Sequence, residues 1–216
     1  VKAIVITRDR VTYAKQTCHA LARMGLDVHI VDHGSSWPPM LDWLYYVEYP
    51  VLRCGDASPR DLWGRLRTVT LETIVPVGER YVVSDPDLVP SLGCADGSWL
   101  ALAHAVLNEY SSIVKCGPGL RIDDLPFNVF TDQVKEWERQ FWIREIRPGV
   151  FSAPIDTTCA LYRPWNTQEF TLGPGARLGD PYTFRHLPWY ELELTQEIVW
   201  YRAHALEGAS HWEPQR

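Results

Sequence analysis

The opening stretch, residues 1–32, constrains the fold more than any other. Lys2-Ala3-Ile4-Val5-Ile6 is apolar at nearly every position. That is the pattern of a strand covered on both faces, not of one with a wet side. Thr7-Arg8-Asp9-Arg10 follows as a polar loop. Over residues 12–25, Ala14, Cys18, Leu21 and Ala22 recur at i, i+4, i+7 and i+8, which puts them on one stripe of a helix. Gly25 supplies the stop, and Asp27-Val28-His29-Ile30-Val31-Asp32 reads as a second strand. Strand, helix and strand in this order close as a right-handed βαβ unit. The chain therefore opens as an α/β sheet.

The alternation continues. Residues 40–47 read as a short helix, and a short strand falls between Val47 and Cys54. Pro59 to Leu71 reads as a helix with Pro59 in its first turn. Arg80-Tyr81-Val82-Val83-Ser84 reads as a buried strand, Asp96 to Glu109 as a helix and Ser112 to Lys115 as another strand. Leu100, Ala103, His104 and Leu107 share one face of that helix. Beyond residue 117 the pattern changes. Gly117 to Pro126 is loop-like with a short extended core, and Thr131 to Trp142 is helical. Val150 to Ala153 and Thr158 to Tyr162 read as strands of a hairpin-like element. Residues 163–190 show little periodicity and read as ordered loops around a site. Leu194 to Ala205 is a last helix, and 207–216 a tail. No linker divides 1–115 from 116–206, so one domain over 1–216 is expected.

Composition bounds the chemistry. At 216 residues, 46% hydrophobic and 22% charged, the chain can bury a full core. A net charge of −6 argues against a nucleic-acid backbone binder, which needs a basic surface. Five cysteines without a CxxC argue against a disulfide framework or zinc knuckle and for a reducing cytosol. No apolar run approaches 18 residues, so no membrane span is expected, and Val1 to Ile6 is too short and strand-like for a signal peptide.

The densest chemistry is Asp85-Pro86-Asp87, directly after the strand ending at Ser84. Two carboxylates on alternate positions at a strand end can face one point. Mg²⁺ or Mn²⁺ needs such oxygens and often bridges them to phosphates. There is no GxGxxG after the first strand and no GxxxxGK[ST], which disfavours a dinucleotide fold and a P-loop. In an open α/β sheet, ligands bind at the carboxyl ends of strands. Thr7, Arg8 and Asp9 after strand one and Asp32 after strand two are thus placed for a base and ribose. Asp123-Asp124 is a second carboxylate pair, of a kind that serves as general base. Asp156-Thr157-Thr158 lies between extended stretches and suits sugar hydroxyls. His186 offers an imidazole to a metal, and Arg185 or Arg177 offers a cation to a leaving diphosphate. Ten tryptophans are many for this length. Trp37, Trp165, Trp189 and Trp212 fall in Pro-rich or polar contexts where an exposed indole could stack on a sugar.

Taken together, these segments resemble the GT-A-fold glycosyltransferases, and more closely the small bacterial and phage family 2-like proteins of that kind. The resemblance is carried by Tyr81 to Asp87, Lys115 to Pro126, Trp137-Glu138, Asp156 to Arg163 and Arg185 to Tyr190, within a match from residue 2 to about 204. It implies an α/β, GT-A-like domain with a mostly parallel central sheet flanked by helices. Residues 1–115 would bind a nucleotide-sugar, UDP-linked by preference, and 116–206 the acceptor, a glycan or protein hydroxyl. It implies a hexosyltransferase in which Asp85, Asp87 and His186 hold Mn²⁺ or Mg²⁺. Thr7, Arg8, Asp9, Asp32, Asp85 and Arg185 would bind the donor, and Asp123, Asp124 and Asp156 fall in the catalytic region. Two other readings stay open. A sugar nucleotidyltransferase would carry a Gly-rich basic loop after strand one, where this chain has Thr7-Arg8-Asp9-Arg10. A non-catalytic carbohydrate-binding protein would use the Trp-rich second half without metal or nucleotide.

Overall fold

The computed structural model describes residues 1–55, 71–127, 131–155, 158–164 and 174–205. β1 (Lys2–Thr7) and β2 (Asp27–Asp32) pair in parallel, in register from Lys2 with Asp27 to Thr7 with Asp32. Between them runs α1 (Val11–Arg23), and Gly25 makes the turn with φ at 78°. α2 (Pro38–Tyr46) leads to β3 (Val51–Arg53), which adds in parallel to β2. After α3 (Leu71–Ile74), β4 (Tyr81–Ser84) joins the other side of β1, again in parallel. The expected helix over 59–71 lies almost wholly outside the described residues.

The second half extends the same sheet. It contains β5 (Leu88–Pro90), α4 (Trp99–Glu109), β6 (Lys115–Leu120), α5 (Thr131–Arg139), β7 (Glu145–Arg147), β8 (Val150–Ser152), β9 (Ala160–Tyr162), β10 (Gly175–His186) and α6 (Gln196–His204). The strand order is β3-β2-β1-β4-β9-β6-β10-β8-β7, with β5 on β10. Strands β1, β2, β3, β4, β6, β7 and β10 run one way and β5, β8 and β9 the other. The sheet of the described residues is therefore mostly parallel, with β9 reversed at its centre.

The period of two along β1 builds both faces. Ala3 and Val5 join one apolar cluster with α1, through Ala14, Cys18 and Leu21, and with α4, through Trp99, Ala103 and Leu107. Ile4 and Ile6 join another with Val31, Tyr81, Val83 and Tyr162. Each large side chain so buried contributes about 1.5–3 kcal/mol relative to exposure. Among the described residues no helix is long and apolar enough to cross a membrane.

Three expectations for the second half are corrected. The stretch Gly117 to Pro126 is expected to be loop-like with a short extended core, yet β6 runs through Gly117-Pro118-Gly119 as regular strand and is buried throughout. Glycine there answers close packing. A Cβ on Gly117 would stand 2.1 Å from the Cys159 carbonyl oxygen, and one on Gly119 would stand 2.2 Å from the Trp142 ring. Pro118 is tolerated because the pairing with β9 involves only Lys115 and Cys116. The stretches around 150 and 160 do not form a hairpin together. β8 pairs with β7 across a turn at Gly149, φ 72°, while β9 inserts between β4 and β6. Finally, residues 175–186, read as loop, form the long strand β10. Its ladder to β6 shifts register between Leu178 and Thr183, and the bulge breaks any alternation in the sequence.

Candidate functional site

Because β1, β2, β4, β6 and β10 share a direction, their carboxyl ends meet at one edge of the sheet. Thr7, Asp32, Ser84, Leu120 and His186 end these strands. β5 then folds back antiparallel to β10, with Leu88 opposite His186. That pairing sets Asp87 beside His186, and the Leu187 N–H donates to the Asp87 carbonyl at 2.8 Å. The Thr17 hydroxyl of α1 donates to the Pro86 carbonyl at 2.6 Å and accepts from the Leu88 N–H at 3.1 Å. The Asp85-Pro86-Asp87 turn is thus pinned from both sides.

The Asp87 carboxylate is buried. Its Oδ2 lies 3.4 Å from His186 Nε2 and 3.9 Å from an Arg10 terminal nitrogen. Its Oδ1 and His186 Nδ1 are both shielded from solvent and have no hydrogen-bond partner among the described residues. Burial pushes the Asp87 carboxyl up, but His186 and then Arg10 outweigh it and hold the group below the usual carboxylate range. Trp189 packs edge-on against His186, ring centroids 4.7 Å apart, and is buried. It is a wall of the site and not an exposed stacking platform. Of the expected set Asp85, Asp87 and His186, the structure draws together Asp87 and His186. Among the described residues no group of three or more His, Cys, Asp and Glu side chains is arranged to hold a metal ion. Asp85 stands at the strand end, where its carbonyl accepts from the Ser84 hydroxyl at 2.9 Å.

The residues expected at the base and ribose are turned into the protein. Asp9 is 1% exposed and sits at φ 51°, in the left-handed region that aspartate tolerates better than most. Its Oδ1 accepts from the Ser36 and Trp37 N–H groups at 2.6 and 2.7 Å, and its own N–H donates to Ser35 Oγ at 2.9 Å. Asp32 is also 1% exposed and accepts from the Ser35 N–H at 3.2 Å and from Arg53 Nε at 3.3 Å. The two carboxylates shape the 33–37 loop. Arg8 donates to the His33 carbonyl at 3.0 Å, and Thr7 Oγ1 is buried without a hydrogen-bond partner among the described residues.

A third cluster forms beyond β6. Arg185 Nε donates to Asp124 Oδ2 at 2.8 Å, the Tyr190 hydroxyl donates to Asp124 Oδ1 at 2.5 Å, and Arg121 Nε lies 3.4 Å from Oδ2. Burial raises the Asp124 carboxyl, but Tyr190, Arg185 and Arg121 together hold it below its ordinary value. Arg121 also donates to Asp123 at 2.9 Å, whose side chain is 69% exposed. Arg185 is thus committed to Asp124. Arg177, the other cation considered for a diphosphate, is buried against Glu138 of α5, NH1 to Oε2 2.9 Å. Asp156, Trp165 and Trp212 lie outside the described residues.

Four residues of this region were missed from sequence. Thr17 and Glu197 carry no motif, and Tyr190 closes the Arg185 to Tyr190 segment without a role of its own there. Arg10 stands in the loop already singled out, one position past Asp9. Its guanidinium carbon lies 3.9 Å from the Tyr201 ring centroid and 5.4 Å from that of Tyr13. Glu197, on α6, is buried. Its Oε2 accepts the Thr12 N–H at 2.9 Å, while Oε1 has no hydrogen-bond partner among the described residues. Burial pushes the Glu197 carboxyl up, with Thr12 and Arg10 pulling it back.

No protein-family model matches the chain, and no curated protein matches it. Solved structures do match. One is the apo crystal structure of mouse xyloside xylosyltransferase 1, at 13% sequence identity and a TM-score of 0.38, covering 76% of this chain and 67% of that one.

Proposed function

We propose that this chain is a metal-dependent glycosyltransferase that moves a sugar, a hexose by first choice, from a nucleotide-diphosphate sugar to a glycan or protein hydroxyl. The observation that carries the reading is the Asp87–His186 pair. A buried carboxylate and a buried imidazole meet at the carboxyl edge of an open α/β sheet, each with one polar atom left without a hydrogen-bond partner among the described residues. Such edges are where α/β sheets bind ligands, and buried polar atoms rarely stay unsatisfied without a reason.

Asp87 and His186 are donors of the kind that Mn²⁺ or Mg²⁺ accepts. These ions commonly take one or two carboxylates from the protein and fill the remaining positions with substrate phosphates and water. Asp87 and His186 would hold the ion. When bound, it would offset charge developing on the departing nucleoside diphosphate. The chain's own residues do the rest. Arg10 places a fixed buried positive charge beside the same carboxylate, which favours an anionic leaving group. Trp189 walls His186 from water. Asp9 and Asp32 preset the 33–37 loop on the nucleotide side. Asp124 already accepts from Tyr190 and Arg185, so it is assigned to ordering the acceptor side. The base that takes the acceptor proton is then Asp123 or Asp156.

The test is hydrolysis of a panel of UDP-, GDP- and TDP-sugars with Mn²⁺ and an EDTA control. Metal-dependent release of one nucleoside diphosphate supports the reading and names the donor. A silent panel, together with no shift in melting temperature from any nucleoside diphosphate plus Mn²⁺, overturns it.

A further inference from the structure

The last helix is thinly anchored. Of the nine residues of α6, Glu197 and Ile198 alone are buried, and the chain leading into it, Leu192 to Gln196, is exposed. An element with so little buried surface opens at far less cost than the whole domain. One of its two anchors is also a costly one. Glu197 Oε2 accepts the Thr12 N–H at 2.9 Å, but Oε1 has no hydrogen-bond partner among the described residues. A buried carboxylate is unfavourable unless its oxygens are satisfied.

What α6 covers is the start of α1. Thr12 is the second residue of α1, so its N–H has no carbonyl to reach within its own helix. The N-cap residue, Arg10, makes no side-chain cap bond. Glu197, 185 residues away, supplies the acceptor instead, and its carboxylate suits the positive end of a helix. One turn along the same face of α6, the Tyr201 ring centroid lies 3.9 Å from the Arg10 guanidinium carbon. Arg10 in turn stands 3.9 Å from Asp87 Oδ2. Arg10, Asp87 and Glu197 are 5%, 8% and 5% exposed, so with α6 in place a ligand in solution has almost no access to them.

We infer that α6 is a detachable strap. Glu197 latches it to the first turn of α1 and Tyr201 covers Arg10, so the helix lifts before Arg10 meets any ligand at this edge of the sheet. The device governs access, and it holds with or without a cation at Asp87. Lifting breaks the Thr12–Glu197 hydrogen bond and the ring contact. It also returns the Glu197 carboxylate to water, which offsets part of that loss.

The experiment is native-state hydrogen exchange of the full chain by NMR, with the rate of Arg10 modification by phenylglyoxal read by mass spectrometry. In the wild-type protein the Thr12 amide should show the protection of the α6 amides Val199 and Ala205, and at least about 10-fold less than Leu21 inside α1. Glu197→Ala should speed exchange at Thr12 and in α6, and modification of Arg10, each about 10-fold. The β1 amide of Ile4 should keep its wild-type rate. Glu197→Gln retains an acceptor for the Thr12 N–H and should restore its protection. A wild-type Thr12 as protected as Leu21 overturns the inference, and that comparison decides even where a variant fails to fold. Unchanged Thr12 and Arg10 rates in Glu197→Ala overturn it too. So does an equal acceleration at Ile4, which is the mark of a weaker fold throughout and not of a lifted strap.

Discussion

Glu138→Ala should destabilise the protein by about 3 kcal/mol, the lower end of the roughly 3–5 kcal/mol that follows from stranding one partner of a buried ion pair. Glu138 Oε2 accepts from Arg177 at 2.9 Å, with the two side chains 3% and 4% exposed. The pair ties α5 to β10, the strand that ends in His186. Removing the carboxylate leaves a guanidinium with no route to water. Among the contacts that Arg177 keeps, these limit the loss. Arg177 Nε still donates to the Pro154 carbonyl at 3.0 Å, and the guanidinium still lies 3.8 Å from the Phe141 ring centroid. For a chain of this size each kcal/mol moves the midpoint roughly 2–4 °C, so a fall of about 6–12 °C is expected. Glu138→Gln keeps an acceptor and should cost about 1–2 kcal/mol. The double variant Glu138→Leu with Arg177→Met removes both charges and should return close to wild type. Urea unfolding followed by circular dichroism measures all four proteins. A Glu138→Ala variant within about 1 kcal/mol of wild type would refute the reasoning, because that is the behaviour of an exposed pair. A double variant as weak as Glu138→Ala would show that packing, not charge compensation, sets the cost.

Other consequences follow from the same geometry. Asp87→Asn should lower Mn²⁺-dependent turnover by about 100-fold or more while leaving the far-ultraviolet circular dichroism spectrum unchanged, and full retained activity would remove the metal hypothesis. Asp124 has its folded-state carboxyl held below the ordinary value by Tyr190, Arg185 and Arg121, against burial. Its contribution is therefore complete above the unfolded carboxylate pKa and is lost as pH falls through the folded value. The stability gap between wild type and Asp124→Asn should be flat near neutrality and shrink below about pH 4; a gap constant down to pH 2 would count against the network. Gly117→Ala drives a methyl to 2.1 Å from the Cys159 oxygen, so β6 and β9 must part at a cost of about 1–3 kcal/mol. An unchanged melting temperature would contradict that packing.

The first half of the fold was legible because its strands are local and simply patterned. β2 was read to the residue, and β1, β4 and α1 within one to two positions, since each carries one period over its whole length. The second half hid its strands for two reasons. β6 runs through Gly-Pro-Gly, which signals a turn in isolation. In context, the neighbouring Cys159 backbone and Trp142 ring leave no room for a Cβ at either glycine. β10 is interrupted by a register shift, so neither alternation nor a continuous apolar run marks it. Both causes are long-range. The partner that explains each glycine lies tens of residues away in the chain.

The site divides along the same line. Asp87 and His186 could be named separately as strand-end donors, but their approach depends on β5, a three-residue strand that pairs antiparallel with β10. Asp9 and Asp32 illustrate the opposite case. A carboxylate after a strand looks the same in sequence whether it faces a ligand or a loop. The difference lies in the donors that arrive later, the Ser35, Ser36 and Trp37 amides. A carboxylate already holding backbone amides is spent on shaping the pocket wall. One that keeps a buried oxygen without a hydrogen-bond partner, as Asp87 does among the described residues, has capacity left for a ligand. By that criterion Asp87, and Glu197 with its own Oε1 lacking a hydrogen-bond partner among the described residues, differ from Asp9 and Asp32. Arg10, 3.9 Å from the Asp87 carboxylate and 3.9 Å from the Tyr201 ring centroid, brings the last helix to the edge of that region.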